Sequence, residues 1–315
     1  MALDGTGYFS SKTLHCASCL HKGHRHGSRT SYHQMLGAAI LHPDVREVIP
    51  LMPAPIVKQD GTAKNDCERN AAKRFLVKLR QDHPPLTCII TEDSLRANAP
   101  HLESLRAYDL HYILGVKAGD HAYLCQQVQA AEHMGRVNSY ERHDRATGLV
   151  HRFRFVNAVP LNESNAAIRG NGSEYWERGA DRVPHFSWVT DLRVSQRHVY
   201  HLMRGGRARW KIENETFNTL KNQGYNFEHN YGHGTQNLSV VFAVVMMLAF
   251  VVDQSQQLGC ALFRAVWTKL GSKRWLWERM RALFYDYGLD SRRALCEALW
   301  YGVEKSRPIL SIDTS

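Results

Sequence analysis

Three apolar segments follow one another before the first helical signature: "ALDGTGYF", "YHQMLGAAILHP" and "EVIPLMPAPI". Each is short, bounded by turn-forming residues and suited to a pleated surface, so each reads as a strand. Strands that succeed one another with no helix between them pair as an antiparallel meander, and "PDVR" supplies the turn between the second and third. The next stretch, "KNDCERNAAKRFLVKLRQDHPP", changes period. Cys67, Ala71, Phe75 and Leu79 recur at every fourth position with Leu76 beside them, which predicts an amphipathic helix. Asn65 and Glu68 stand at capping-box spacing, and Pro84 and Pro85 stop the helix. "LTCIITED" then reads as a buried strand closing on Glu92 and Asp93, followed by a helix around "PHLESLRAY" and a strand "HYILGVK". The resulting β-β-β-α-β-α-β order predicts an α/β fold. Its mixed sheet is flanked by helices, with a meander extended by parallel strands through helical crossovers.

Beyond residue 119 the texture shifts. "LVHRFRFVNAV" alternates arginines with Phe153 and Phe155 after the turn "ERHDRATG", predicting a basic hairpin. "NESNAAIRGNGSEYWERGADRVP" is polar and Gly-rich and reads as a loop, "HFSWVTDL" returns as a strand, and from Ser195 onward the chain reads as helical almost to its end. The organisation expected is a first part of the core at 1–119, a β-rich insertion at 120–195, a core helix at 196–232 and a helical C-terminal region at 233–315.

Charge narrows the partners. With 40 basic against 30 acidic residues the net charge is +10, which favours a polyanion, nucleic acid ahead of an anionic membrane surface. The 15-residue run from Leu238 to Val252 is short for a membrane span and meets Asp253 at once, so a buried core helix and no membrane contact are expected. Seven scattered cysteines, an odd number, suggest a reducing cytoplasm rather than a disulfide framework, and the start of the chain shows no signal-peptide pattern.

Acids stand where strands end or break. Asp4 interrupts the first strand and Asp93 closes the fourth; in a meander-then-crossover sheet these two strands can be neighbours, bringing the two carboxylates side by side. Paired carboxylates repel, and a divalent cation lets both stay ionised. Each also has a plain structural role, Asp4 in a turn and Asp93 as a helix cap. A third acid lies in "RARWKIENETFNTLKN", where Arg209, Glu213, Phe217 and Leu220 share one helical stripe with Lys221 at its flank. Glu215 falls about 200° around the axis from Glu213, so the two cannot serve one site. Surface ion pairs use the same spacing.

In this order, "LDGTG", "IITED" and "GRARWKIENETFNTLKNQG" resemble the three catalytic motifs of DDE insertion-sequence transposases of the IS-four type, and the likeness spans essentially the whole chain. The resemblance implies an RNase H-like core with a β-rich insertion before the third acid. It implies a catalytic triad of Asp4, Asp93 and Glu213 holding two Mg²⁺ ions, with Mn²⁺ as a substitute, and phosphate contacts from Arg209 and Lys221. It further implies double-stranded DNA as partner, a homodimer in the DNA complex, cleavage and strand transfer at element ends, and a prokaryotic, nucleoid-associated location. The pattern departs at Gly206, where the family has Tyr, at Leu220, where it has Lys, and in the "DSLRAN" that follows the second motif. Relatives carry an N-terminal recognition region ahead of the first motif, so this chain reads as a truncated copy with a poorly anchored first strand and weak activity. A DNA-binding remnant and a nuclease without strand transfer are the alternatives.

Two further features bear on binding. "HCASCLHKGHRH" sets Cys16 and Cys19 in a C-x₂-C step with His21, His24 and His26 close behind, a donor set for structural zinc to which Cys67 or His33 could contribute in space. The alternative is a basic hairpin tip facing DNA. In the insertion, Arg152 and Arg154 are expected on phosphates, and Trp176, in the polar loop, as a base-stacking platform, whereas Trp188 alternates with Phe186 and reads as core.

Overall fold

The computed structural model describes residues 1–25, 27–58, 65–94, 98–179, 183–234 and 236–302. Alternation along the strands builds its central layer. In β1 (Ala2–Ser11), Leu3 turns into one core while Ala2 and Tyr8 turn into another. The strand labelled β3 (Arg29–His42) does the same with Leu36 and Ala38 against Met35 and Ala39. The two strands pair antiparallel from Ala2 opposite Ala39 to Ser11 opposite Ser31. A short strand in the His-rich segment, β2 (Leu20–Gly23), pairs with β3. "EVIPLMPAPI" is two strands rather than the single one expected, β4 (Val45–Pro50) and β5 (Ala54–Ile56), each paired separately to β3.

On its other edge β1 meets β6 (Ile89–Glu92) in parallel, and β7 (His111–Gly115) continues the parallel block. The segment 120–195 supplies a helix, α3 (Ala122–His133), and four strands: β8 (Asn138–His143), β9 (Val150–Pro160), β10 (Arg169–Arg178) and β11 (His185–Thr190). These strands carry on the same sheet, whose order is β2-β3-β1-β6-β7-β11-β10-β9-β8 with β4 and β5 attached to β3. The fold is thus mixed α/β, a large mixed sheet flanked by helices. The Gly-rich stretch read as a loop contains β10, whose buried face is made of Gly170, Ser173 and Tyr175.

The first strand is firmly held, contrary to expectation. Met1 is buried, its amino group donates to the Ile89 carbonyl at 2.7 Å, and its own carbonyl accepts from the Thr91 N–H at 2.8 Å.

On one side of the sheet α1 (Glu68–Asp82) and α2 (Ala99–Ala107) join α3, and their Phe75, Leu76, Leu102, Leu105 and Leu124 cluster with Leu3, Leu36 and Ile90. The expected capping box is absent from α1. Cys67 is its N-cap, Asn65 instead bonds both ways to the His21 backbone, and Glu68 accepts from the Gln34 amide at 2.7 Å. A third core lies under α4 (Val199–Ala208), where Val199, Leu202 and Met203 meet Phe153, Tyr175 and Trp188.

The chain after α4 stays helical but widens into a π-helical turn, Ile212–Phe217, before α5 (Asn218–Asn222). Ile212, Phe217 and Leu220 pack on Ala2, Met35 and Ala39, and α6 (Leu238–Gly259) covers the same core with Ala243, Met247 and Phe250. The fully buried helix expected here has only one such face. Val241, Val245 and Leu248 are exposed, so α6 turns a second, apolar face outward. By length and composition alone it is also the one helix among the described residues apolar enough to cross a membrane. Its Asp253 is buried and held by Tyr225 at 2.6 Å and by Arg292. The remaining helices, α7 (Ala261–Leu270), α8 (Lys273–Asp286) and α9 (Arg292–Tyr301), enclose a cluster of their own around Phe263, Leu276 and Leu295.

Candidate active site

Ligands bind beyond the carboxyl ends of parallel strands, because the chain must leave the sheet there and exposes its turns. Here the β6 and β7 ends, Glu92 to Ser94 and Gly115 to Ala118, form one wall of a cavity of about 840 Å³. Asp4, Asp93 and Glu213 all line it. Register explains the first two. Ala2 pairs with Thr91, so Asp4 and Asp93, each two residues further, come level with one another.

Arg209 ties the third acid in. Its Nη1 donates to Asp4 Oδ2 at 3.1 Å and to Glu213 Oε1 at 2.8 Å, so one guanidinium bridges the first and last motifs. Burial, reinforced by the Glu213 carboxyl beside it and opposed by Arg209, pushes the Asp4 carboxyl up to about 7. Glu215 faces elsewhere and pairs with Arg46 at 3.2 Å, which keeps the two glutamates apart as their spacing predicts. The π turn is what aims Glu213. Phe217, its last residue, sits where a Cβ on Gly37 would be, 2.7 Å from the ring, so the turn lies directly on β3. Gly206 has a similar role one turn before Arg209: the Trp188 indole packs 2.5 Å from its absent Cβ, leaving no room for a tyrosine.

Other expected contacts divide between this cavity and elsewhere. Arg154 lines the cavity, held by Glu132 at 2.6 Å and Glu174 at 3.7 Å. Arg152 does not line it and pairs with Glu141 at 3.5 Å. Trp176 lies in β10 rather than a loop, stacked on His185 with centroids 4.7 Å apart. Lys221 lines a neighbouring cavity with Phe9 and Tyr32, paired to Glu228 at 2.8 Å, while Leu220 is fully buried.

Sequence reasoning missed four lining residues. Trp210 is 50% exposed at the cavity, edge-on to Phe186. Arg207 sets its guanidinium 5.3 Å from the Phe186 ring centre and pairs with Glu177 at 2.8 Å, and Lys117 and His185 complete the rim. For Arg207 and Trp210 the signal was the Arg-Ala-Arg-Trp string itself, which places them a turn apart beside Arg209, whereas no nearby pattern marks Lys117 or His185.

A second cluster forms at the far end of β1. Cys16 and Cys19 meet His33 of β3 and His233 of the segment before α6, with the four donor atoms all within 4.8 Å of one another. Burial pushes the Cys19 thiol up to about 11 and the His33 imidazole down to about 4. The other expected donors go elsewhere: His21 bonds Ser31 at 3.1 Å, His24 bonds Thr30 at 2.8 Å, Cys67 caps α1, and His26 lies outside the described residues.

No protein-family model matches the chain, and no curated protein matches it.

Proposed function

We propose that the chain is the catalytic domain of a metal-dependent DNA transposase of the DDE type, on an RNase H-like core, with Asp4, Asp93 and Glu213 as its triad. The observation that carries this reading is the convergence of three motifs, separated by up to about two hundred residues, on one cavity, with Arg209 bridging the first acid to the last.

The residues suit a hard divalent cation. Their donors are carboxylate oxygens, Glu213 is close enough to Asp4 to raise its proton affinity, and an arginine stands between these two acids. Bound there, a pair of Mg²⁺ or Mn²⁺ ions would supply Lewis acidity that activates a hydroxyl nucleophile and neutralises charge on the phosphodiester. Asp4, Asp93 and Glu213 would hold them. Arg209, released from its two carboxylates, can then turn to a phosphate oxygen, for which a planar guanidinium is well shaped. Arg154, Arg207 and Lys117 add positive charge to the rim, and Trp210 offers an exposed ring for an unstacked base. The partner is double-stranded DNA, engaged by a homodimer.

The test uses purified protein and supercoiled DNA carrying the genomic sequence that flanks the gene. Nicking that requires Mg²⁺ or Mn²⁺ and disappears in Asp93→Ala supports the reading, and a chain that binds this DNA without cutting it overturns it. Joining of the freed 3′-hydroxyl to a second DNA separates transposase from nuclease.

A further inference from the structure

The Cys16–Cys19–His33–His233 cluster has the dimensions of a tetrahedral zinc site. Four of its six edges are Cys16 Sγ to Cys19 Sγ 3.6 Å, Cys16 Sγ to His33 Nε2 3.6 Å, Cys19 Sγ to His33 Nε2 3.4 Å and His33 Nε2 to His233 Nδ1 3.1 Å, and the two from His233 to the sulfurs are within 4.8 Å. Zinc bonds of about 2.3 Å to sulfur and about 2.05 Å to nitrogen, at tetrahedral angles, give edges of about 3.8 Å for S···S, about 3.6 Å for S···N and about 3.3 Å for N···N. Each of the first four edges falls within about 0.2 Å of its counterpart, the tolerance expected of a real site. We propose that these four side chains bind one structural zinc ion.

The chemistry of the pocket points the same way. Two thiols and two imidazoles form a soft S₂N₂ set, which selects zinc over Mg²⁺ or Ca²⁺. The Cys16 and Cys19 step is pre-shaped, because the Cys19 N–H donates to the Cys16 carbonyl at 3.2 Å and the Cys16 N–H donates to Cys19 Sγ at 3.3 Å. One side is closed, with Cys16 and His233 only half-buried on the other: His33 is 1% exposed and stacks on Tyr8, while Phe9 packs edge-on to His233 at 4.4 Å. The outer nitrogens, His33 Nδ1 and His233 Nε2, have no acceptor among the described residues, so stacking rather than an outer hydrogen-bond shell orients the rings. With four protein donors filling a tetrahedron and no position open to substrate, the site is structural rather than catalytic.

Its position gives the ion a task. His33 and His233 are 200 residues apart, and the ion would fasten the segment that follows the Glu213-bearing helix to the strand pair that carries Asp4. This inference does not rest on the proposed enzymatic activity.

The experiment is elemental analysis of untagged, full-length protein purified without added metal. About one zinc per chain is expected, and a folded protein holding less than about 0.2 zinc per chain overturns the proposal. Cobalt(II) exchanged into the site should give the intense visible bands and sulfur-to-metal charge transfer of a tetrahedral thiolate site; an octahedral spectrum would also overturn it. His233→Cys, which keeps four ligands, should retain the metal and move the cobalt spectrum toward three sulfurs. His21→Ala, in the same hairpin but outside the cluster, should retain metal with an unchanged spectrum. Loss of metal in His21→Ala but not in Cys19→Ala would assign the ion elsewhere.

Discussion

Two polar clusters lie near the two ends of β1, the first containing its Asp4 and the second packed against its Tyr8 and Phe9, and each reaches the chain that follows α4. At Asp4 the link is Arg209, reaching back to two carboxylates in a cavity open to solvent. Beyond Phe9 the link is His233, packed into an aromatic box with two thiols and a second imidazole. The first offers hard oxygen donors and leaves room for a reactant, while the second offers soft donors and leaves none. On the proposed readings, one protein would separate a place for chemistry from a place for bracing. The same strand keeps the two in a fixed relation.

The largest effect expected is on the open cluster. Asp93→Ala should lower metal-dependent DNA cleavage by about 10²–10³-fold, the scale of losing an electrostatic contact at the reacting charge, with little change in thermal unfolding. A comparable fall in melting temperature would mean that Asp93 braces the fold instead. Next comes Gly37→Ala, which drives a Cβ into the buried Phe217 ring. A cost of about 1–3 kcal/mol is expected from overpacking, together with lost activity as the π turn lifts off β3. Gly5→Ala is the control. Its Cβ would meet Glu68 Oε1 at 2.0 Å, but that is the end of a flexible side chain which can swing away, at about the 0.5–1.5 kcal/mol of its bond to Gln34. Denaturant titration ranks the two.

The pH response follows from Asp4. Its folded value near 7 lies above the ordinary 3.8, so between them the folded chain holds a proton that the unfolded chain has lost. Without metal, stability therefore falls as pH rises across that interval. A divalent cation competes with the same proton, so Mn²⁺ should bind more tightly at about pH 8 than at about pH 6, by up to about tenfold. Calorimetric titration at the two values measures this, and Asp4→Asn should flatten it. Last and smallest, Arg46→Ala breaks an exposed pair with Glu215 and should change stability by less than about 1 kcal/mol, leaving cleavage intact.

What the sequence disclosed follows from how local each signal is. The strand around Asp4, the Asp93 strand and the Arg209–Glu213 spacing are written in adjacent residues, and the parallel pairing of β1 and β6 follows from the order of elements. The β10 strand was hidden because its inward positions are Gly170, Ser173 and Tyr175, too small or polar to show an apolar alternation. The α3 helix buries only Leu124 and Ala131, which leaves its periodicity faint. Asn65 looked like a cap because spacing cannot reveal that His21, forty-four residues away, would take its side chain. His233 was out of reach for the same reason: nothing near it in sequence marks it as a companion of Cys16 and Cys19.

The π turn from Ile212 to Phe217 alters how residues may be counted along this part of the chain. A turn closed by wider bonds takes about 4.4 residues instead of 3.6, so the eight steps from Glu213 to Lys221 amount to about two turns, where about seven would serve in an unbroken α-helix. It works as a stored insertion, absorbing one extra residue while Arg209 before it keeps its grip on Asp4 and Leu220 after it stays buried. Removing the exposed Asn214 would restore a plain helix whose downstream residues keep nearly the same phase, so Leu220 would stay on its buried face. A single-residue deletion would therefore do less harm at this spot than in the unbroken α-helix before it, where nothing compensates a turn of about 100°.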